Sequence, residues 1–168
     1  FVRSYLPHYR LFQQTLTIYP IKSTSGVYAD YFEIVETGLK LDRHWVIIND
    51  NNEAITGRQN TQMLSFSSSI SKDHLLVKHL NESIQLPIIL GTGDSIEIKI
   101  FSSLAHGIEI SDQVNSWFSE RLNQNCRAVI LNTNKKRQVQ EKHGGQSDDF
   151  VGFADMNSVL LISQESLG

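Results

Sequence analysis

Three short strings in the 168-residue chain set cationic side chains beside a predicted turn of chain direction, where an anion can be gripped. Lys22 and Ser23 close the run Tyr19-Pro20-Ile21-Lys22-Ser23, which follows an alternating segment. An ammonium and a hydroxyl held where a strand ends can take an anion by charge and by hydrogen bond. The commoner use of such residues is a solvated turn. Arg43 stands in Leu41-Asp42-Arg43-His44-Trp45, just before an apolar run. Asp42 can pair with it and leave a surface salt bridge of little consequence; alternatively its planar fork can grip a phosphate. Arg58, in Thr56-Gly57-Arg58-Gln59, follows a glycine that permits close backbone approach to a ligand. Each arginine alone is more often a solvated charge. Three cations at three strand ends raise the hypothesis of one converging anion site, which spacing does not establish.

Other chemistry is poorly supported. Cys126, the single cysteine, excludes an intrachain disulfide framework and a multi-cysteine zinc site. It can be a thiolate ligand, or the commoner small buried side chain. The histidines show no metal spacing: His74 and His79 are five apart on a predicted strand and face opposite sides. Lys135-Lys136-Arg137 can meet an acidic partner, but a solvated loop is the ordinary reading. Gly91 and Gly93 precede a strand and no helix, so they do not form a phosphate loop.

The elements that must position these residues are mostly short strands. Gln14 to Tyr19 alternates and is stopped by Pro20, which cannot donate to a ladder. A second strand is expected over Val27 to Glu36, with Tyr28, Phe32 and Ile34 inward. Trp45 to Asn49 and Glu53 to Thr56 flank Asp50-Asn51-Asn52 as a hairpin. Two further hairpins are expected: His74 to Leu80 with Ser83 to Leu86, and Pro87 to Leu90 with Ser95 to Phe101 across Gly91 to Asp94. Val114, Trp117, Phe118 and Leu122 then fall at helical spacing behind Ser111 or Asp112 as cap. Cys126 to Leu131 returns to strand. Asn132 to Asp149 reads as an exposed, mobile loop, Ser158 to Ile162 as a buried strand, and Ser163 to Ser166 as a helix start on which the chain ends.

Composition frames this as an ordinary globular protein, 40% hydrophobic and 20% charged. The net charge of −3 gives no reason to expect nucleic acid. No apolar run approaches the roughly 20 residues of a membrane span. Phe1 to Gln13 lacks the pattern of a signal peptide, and a cytoplasmic protein is the simple expectation.

In their order and spacing, the strings just given resemble the MOSC N-terminal β-barrel domain joined to a MOSC domain, the domain named after the C-terminal part of molybdenum cofactor sulfurase. Besides the three cationic strings the resemblance rests on Gly38-Leu39, Val114 to Leu122 with Cys126-Arg127, Phe153-Ala154-Asp155, and Leu160 to Leu167, and it covers about Thr15 to Leu167. It is similar to the bacterial MOSC–ferredoxin fusions and the mitochondrial amidoxime-reducing component. The resemblance implies a mainly β (α+β) fold: an unassigned segment 1–13, a barrel-like module of short hairpins over 14–104, and the beginning of a MOSC domain over 105–168, with a helix near 111–122.

It also implies a molybdenum-pterin cofactor, with Lys22, Ser23 and Arg43 on its anionic part. Arg58 would be near the site or structural, and Asp155 would line the pocket. The family's metal-binding cysteine falls after the last residue here, and Cys126 matches a position that is not a ligand. No catalytic residue and no metal ligand is therefore assigned in this chain. The complete protein would be an oxidoreductase reducing N-hydroxylated compounds with electrons from a ferredoxin-like donor, fused or separate, and the fragment alone would be inactive. The alternatives are a carrier of the cofactor or of its sulfur-bearing form, as in sulfurases that also hold a pyridoxal phosphate domain, and a β-rich interaction domain. A pyridoxal phosphate lysine would lie elsewhere, since Lys22 is better explained as an anion contact.

Overall fold

The computed structural model describes residues 16–89, 93–160, 162 and 166. The continuous apolar runs Trp45–Ile48 (β5) and Arg127–Leu131 (β11) pair antiparallel at the heart of the molecule. Such runs suit a strand covered on both faces. The residues Trp45, Ile47, Ala128 and Ile130 enter one core and Val46, Ile48, Val129 and Leu131 the other. Ser103–Glu109 (β10) pairs with β11 on one edge and with Ser95–Ile100 (β9) on the other, giving the antiparallel order β5-β11-β10-β9. Ile98 and Ile100 are buried in the second core with Phe153, as the alternation of β9 leads one to expect.

A meander of Ser67–Ile70 (β6), His74–His79 (β7) and Glu82–Pro87 (β8) covers the first core. It contributes Leu75, Val77 and Leu86, and the helix Asp112–Leu122 (α1) contributes Val114, Phe118 and Leu122. Ser111 caps α1 by accepting from the Val114 amide, and Asn123 ends it in the left-handed conformation (φ 48°). The remaining strands are paired ribbons: Leu16–Ile18 (β1) with Val27–Ala29 (β2), Ile34–Val35 (β3) with Gly38–Leu39 (β4), and Arg137–Gln138 (β12) with Phe150–Val151 (β13). The whole is mainly β, with one α-helix among the described residues.

Four sequence expectations are corrected. Val27 to Glu36 is two strands in two ribbons, and Tyr28 and Ile34 are exposed because none of the described residues covers that side of either ribbon. The β9 strand does not return on Pro87 to Ile89; it turns through Phe101-Ser102 onto β10, with Phe101 left-handed (φ 50°). Residues 90–92 of the expected hairpin lie outside the described residues. The segment 132–149 is not a free loop: β12 ties it to β13, and Arg137 and Val139 are buried. Val159, Leu160 and Ile162 are exposed and not in a strand, while 161 and 163–165, with most of the expected helix start, lie outside the described residues, as does the segment 1–13.

Candidate anion site

The strings around Lys22 and Arg43 are joined by their backbones. Pro20 ends β1 and leaves its carbonyl to accept from the His44 and Trp45 amides at 3.0 and 3.1 Å. The Tyr19 carbonyl accepts from Arg43 N (2.9 Å), and the Trp45 carbonyl from Lys22 N (2.9 Å). Ile21 and Trp45 form a parallel bridge. A third segment then docks, with Phe153 N donating to the Arg43 carbonyl at 2.9 Å. Three stretches distant in sequence thus meet at the entry to β5.

Two carboxylates and an aromatic ring fix the side chains. Asp42 is buried, takes the Tyr19 amide at 2.7 Å and pairs with Arg43 Nη1 at 2.5 Å, so the pair is structural as well as ionic. The Arg43 guanidinium lies 4.5 Å from the Tyr19 ring centroid. Arg43 and Ser23 both have left-handed backbones, φ 47° and 67°. Such conformations are uncommon in residues other than glycine and mark tight, fully determined turns. Lys22 is 5% exposed and makes an ion pair with Asp155. Burial pushes its ammonium below the ordinary lysine range; Asp155 opposes that, and the nearby charges of Arg43 and Arg137 add to it.

Arg137 is the residue that reading the sequence missed. Its guanidinium is buried, with Nη1 on the carbonyls of Gly152 (2.9 Å) and Ala154 (2.7 Å) and Nη2 on Ser103 Oγ (2.5 Å). Its Nε is buried without a hydrogen-bond partner among the described residues. No pattern in the sequence marks it: Arg137 is the last of three consecutive cations, and its burial beside exposed Gln138 and buried Val139 shows only in the fold.

Lys22, Arg43, Arg137 and Asp155 are thus brought together, with Ser23 adjoining Lys22 in the same turn. Arg58 is not in this cluster: it is exposed, and its link to the site is Gly57, where an added Cβ would lie 3.9 Å from the Ser23 carbonyl. Cys126 lies just before β11, at the opposite end from Ile130, which pairs with Trp45, and is buried against Ser119, which donates to its carbonyl at 3.1 Å. Burial pushes its thiol upward, the opposite of what a ready thiolate needs. Among the described residues no three His, Cys, Asp or Glu side chains gather as metal ligands, and no helix is long and apolar enough to cross a membrane. Three cations stand here against two carboxylates, with one buried donor left over among the described residues, an arrangement that can meet an anion.

A mainly β domain with a cluster of cations where strand ends meet is the class that fold and site define. Residues 12–125 match the family model of the MOSC N-terminal beta barrel domain, and the chain belongs to that family. Mitochondrial amidoxime-reducing component 1 of Danio rerio is 24% identical over 162 residues, which are 91% of this chain and 50% of that protein. Mitochondrial amidoxime reducing component 2 of Bos taurus is 28% identical over 161 residues, 90% of this chain and 48% of the relative. Molybdenum cofactor sulfurase of Drosophila willistoni is 32% identical over 115 residues, 64% of this chain and 15% of the relative. The chain therefore spans about half the length of the amidoxime-reducing components it matches.

Proposed function

We propose that the pocket holds the anionic end of a molybdenum-pterin cofactor, as one wall of the cofactor site of a molybdenum oxidoreductase. The observation that carries this reading is the backbone union of residues 19–23 with 42–45, which sets the Lys22 ammonium and the Arg43 guanidinium in one place. The donor set fits such a group: Lys22 supplies point charge, Arg43 a fork preset by Asp42, and Ser23 a hydroxyl in the same turn. Arg58 stands at the margin, where it can add long-range charge, and Asp155 lines the pocket. When bound, the cofactor would supply oxygen-atom transfer; this chain's part is to bind, orient and neutralise its negative end. A metal-ligating cysteine would come from residues other than those described.

The names of the amidoxime-reducing relatives favour reduction of N-hydroxylated compounds, with electrons from a ferredoxin-like donor, fused or separate. The full-length protein, loaded with cofactor and given reduced ferredoxin, is expected to reduce an aromatic amidoxime, and Lys22→Ala is expected to abolish that turnover. Loaded wild-type protein without turnover would overturn the enzyme reading. It would leave a carrier of the cofactor or of its sulfur-bearing form, which the sulfurase match favours; a pyridoxal phosphate site would then belong to a separate domain. Cytoplasmic residence is part of the proposal. The relatives named mitochondrial make cell fractionation its direct test.

A further inference from the structure

The two ion pairs of the site are built in opposite ways. In Asp42–Arg43 the carboxylate is the deep partner, with its side chain 5% exposed, and it also holds the Tyr19 amide. In Lys22–Asp155 the cation is deep and the anion shallow: their side chains are 6% and 54% exposed. Among the described residues the Asp155 carboxylate accepts a hydrogen bond from Lys22 alone. The chain also changes character there. Val151, Gly152, Phe153 and Ala154 are buried, and Asp155, Met156 and Asn157 are exposed. Arg137 anchors the buried side of that boundary through the Gly152 and Ala154 carbonyls, and reaches the Asp155 carbonyl only at 3.5 Å. The backbone up to Ala154 is therefore fixed, while the half-exposed Asp155 side chain can swing into water, giving up Lys22 as its partner.

We propose that Asp155 is an internal counter-ion that occupies the ligand's place on Lys22 and leaves when an oxyanion enters, with Arg137 as the tether that keeps it in reach. This rests on the anion-site reading of the pocket. With Asp155 in place the cluster of Lys22, Arg43 and Arg137 against Asp42 and Asp155 carries one net positive charge; without it, two, which matches a phosphate dianion. The unpartnered Nε of Arg137 is a buried donor that an incoming oxygen in this cluster can satisfy. A buried ammonium without any counter-charge is costly, so the carboxylate stabilises the ligand-free pocket and competes with the ligand for the same cation. The coupling between the two is reciprocal.

Calorimetric titration of inorganic phosphate into full-length protein, made in a host unable to synthesise the pterin, tests this. Asp155→Asn and Asp155→Ser, both at an exposed position, are expected to bind phosphate about five- to tenfold more tightly than wild type. In the Lys22→Met background the Asp155→Asn change is expected to have no effect, because the competition is for Lys22. Wild-type binding that is unchanged or weakened in both Asp155 variants would overturn the counter-ion role and leave the anion site standing. No phosphate binding by wild type or by either Asp155 variant, with all three folded by circular dichroism, would overturn the anion site itself.

Discussion

Lys22 shows what a single side chain at this site contributes and costs. Its ammonium is buried, its pKa is held below the ordinary lysine value by that burial, and Asp155 compensates only in part. The unfolded chain keeps the lysine proton up to about pH 10.4. Between the depressed native value and that point the native state binds fewer protons than the unfolded one, so stability rises with pH there. Below the native value both states are charged and the burial penalty is present in full. Urea midpoints measured from neutral pH to about pH 10 are expected to show this rise in wild type and to lose it in Lys22→Met. An identical pH slope in the two would mean that Lys22 is solvated. A site that keeps such a group where an apolar side chain would be easier to bury has a use for its charge.

At the scale of elements, the central sheet depends on one close approach. Gly107 in β10 lies over Val129, and a Cβ there would stand 2.3 Å from Val129 Cγ1 and 2.8 Å from the Ile130 carbonyl. Backbone and a β-branched side chain cannot both give way, so Gly107→Ala is expected to cost about 2 kcal/mol, read as a lowered urea midpoint with unchanged slope. The same residue explains why β10 was missed. Ala105, His106 and Gly107 break the apolar alternation that made β9 legible, because the sheet needs small residues where its strands crowd. The helix α1 was legible down to its Ser111 cap, since its period and its cap are both written in side chains. Lys22, Arg43 and Asp155 could be named from their strings, but the reason they meet is a set of backbone hydrogen bonds between 19–23, 42–45 and 153, which leave no side-chain pattern. Arg137 was hidden for a related cause: beside Lys135 and Lys136 it looked like one more solvated cation, and only its carbonyl partners distinguish it.

For the whole molecule, two cores on opposite faces of one sheet hold β5 and β11 in place, and the cationic cluster sits where β5 begins. Lys22, Ser23, Arg43 and Arg58 lie within the stretch matched by the barrel family, and Arg137 and Asp155 lie after it, so the pocket draws on both. On the proposed reading, the chain would frame an anionic group whose remaining contacts come from elsewhere. The most direct test is the molybdenum and pterin content of the full-length protein purified from a cofactor-competent host, in wild type, Lys22→Ala and Arg43→Ala, with folding checked by circular dichroism. Near-stoichiometric metal and pterin in wild type, lost in both variants, is the expected result. A folded wild-type protein without either, or variants that retain both in full, would contradict the assignment of this pocket to the cofactor.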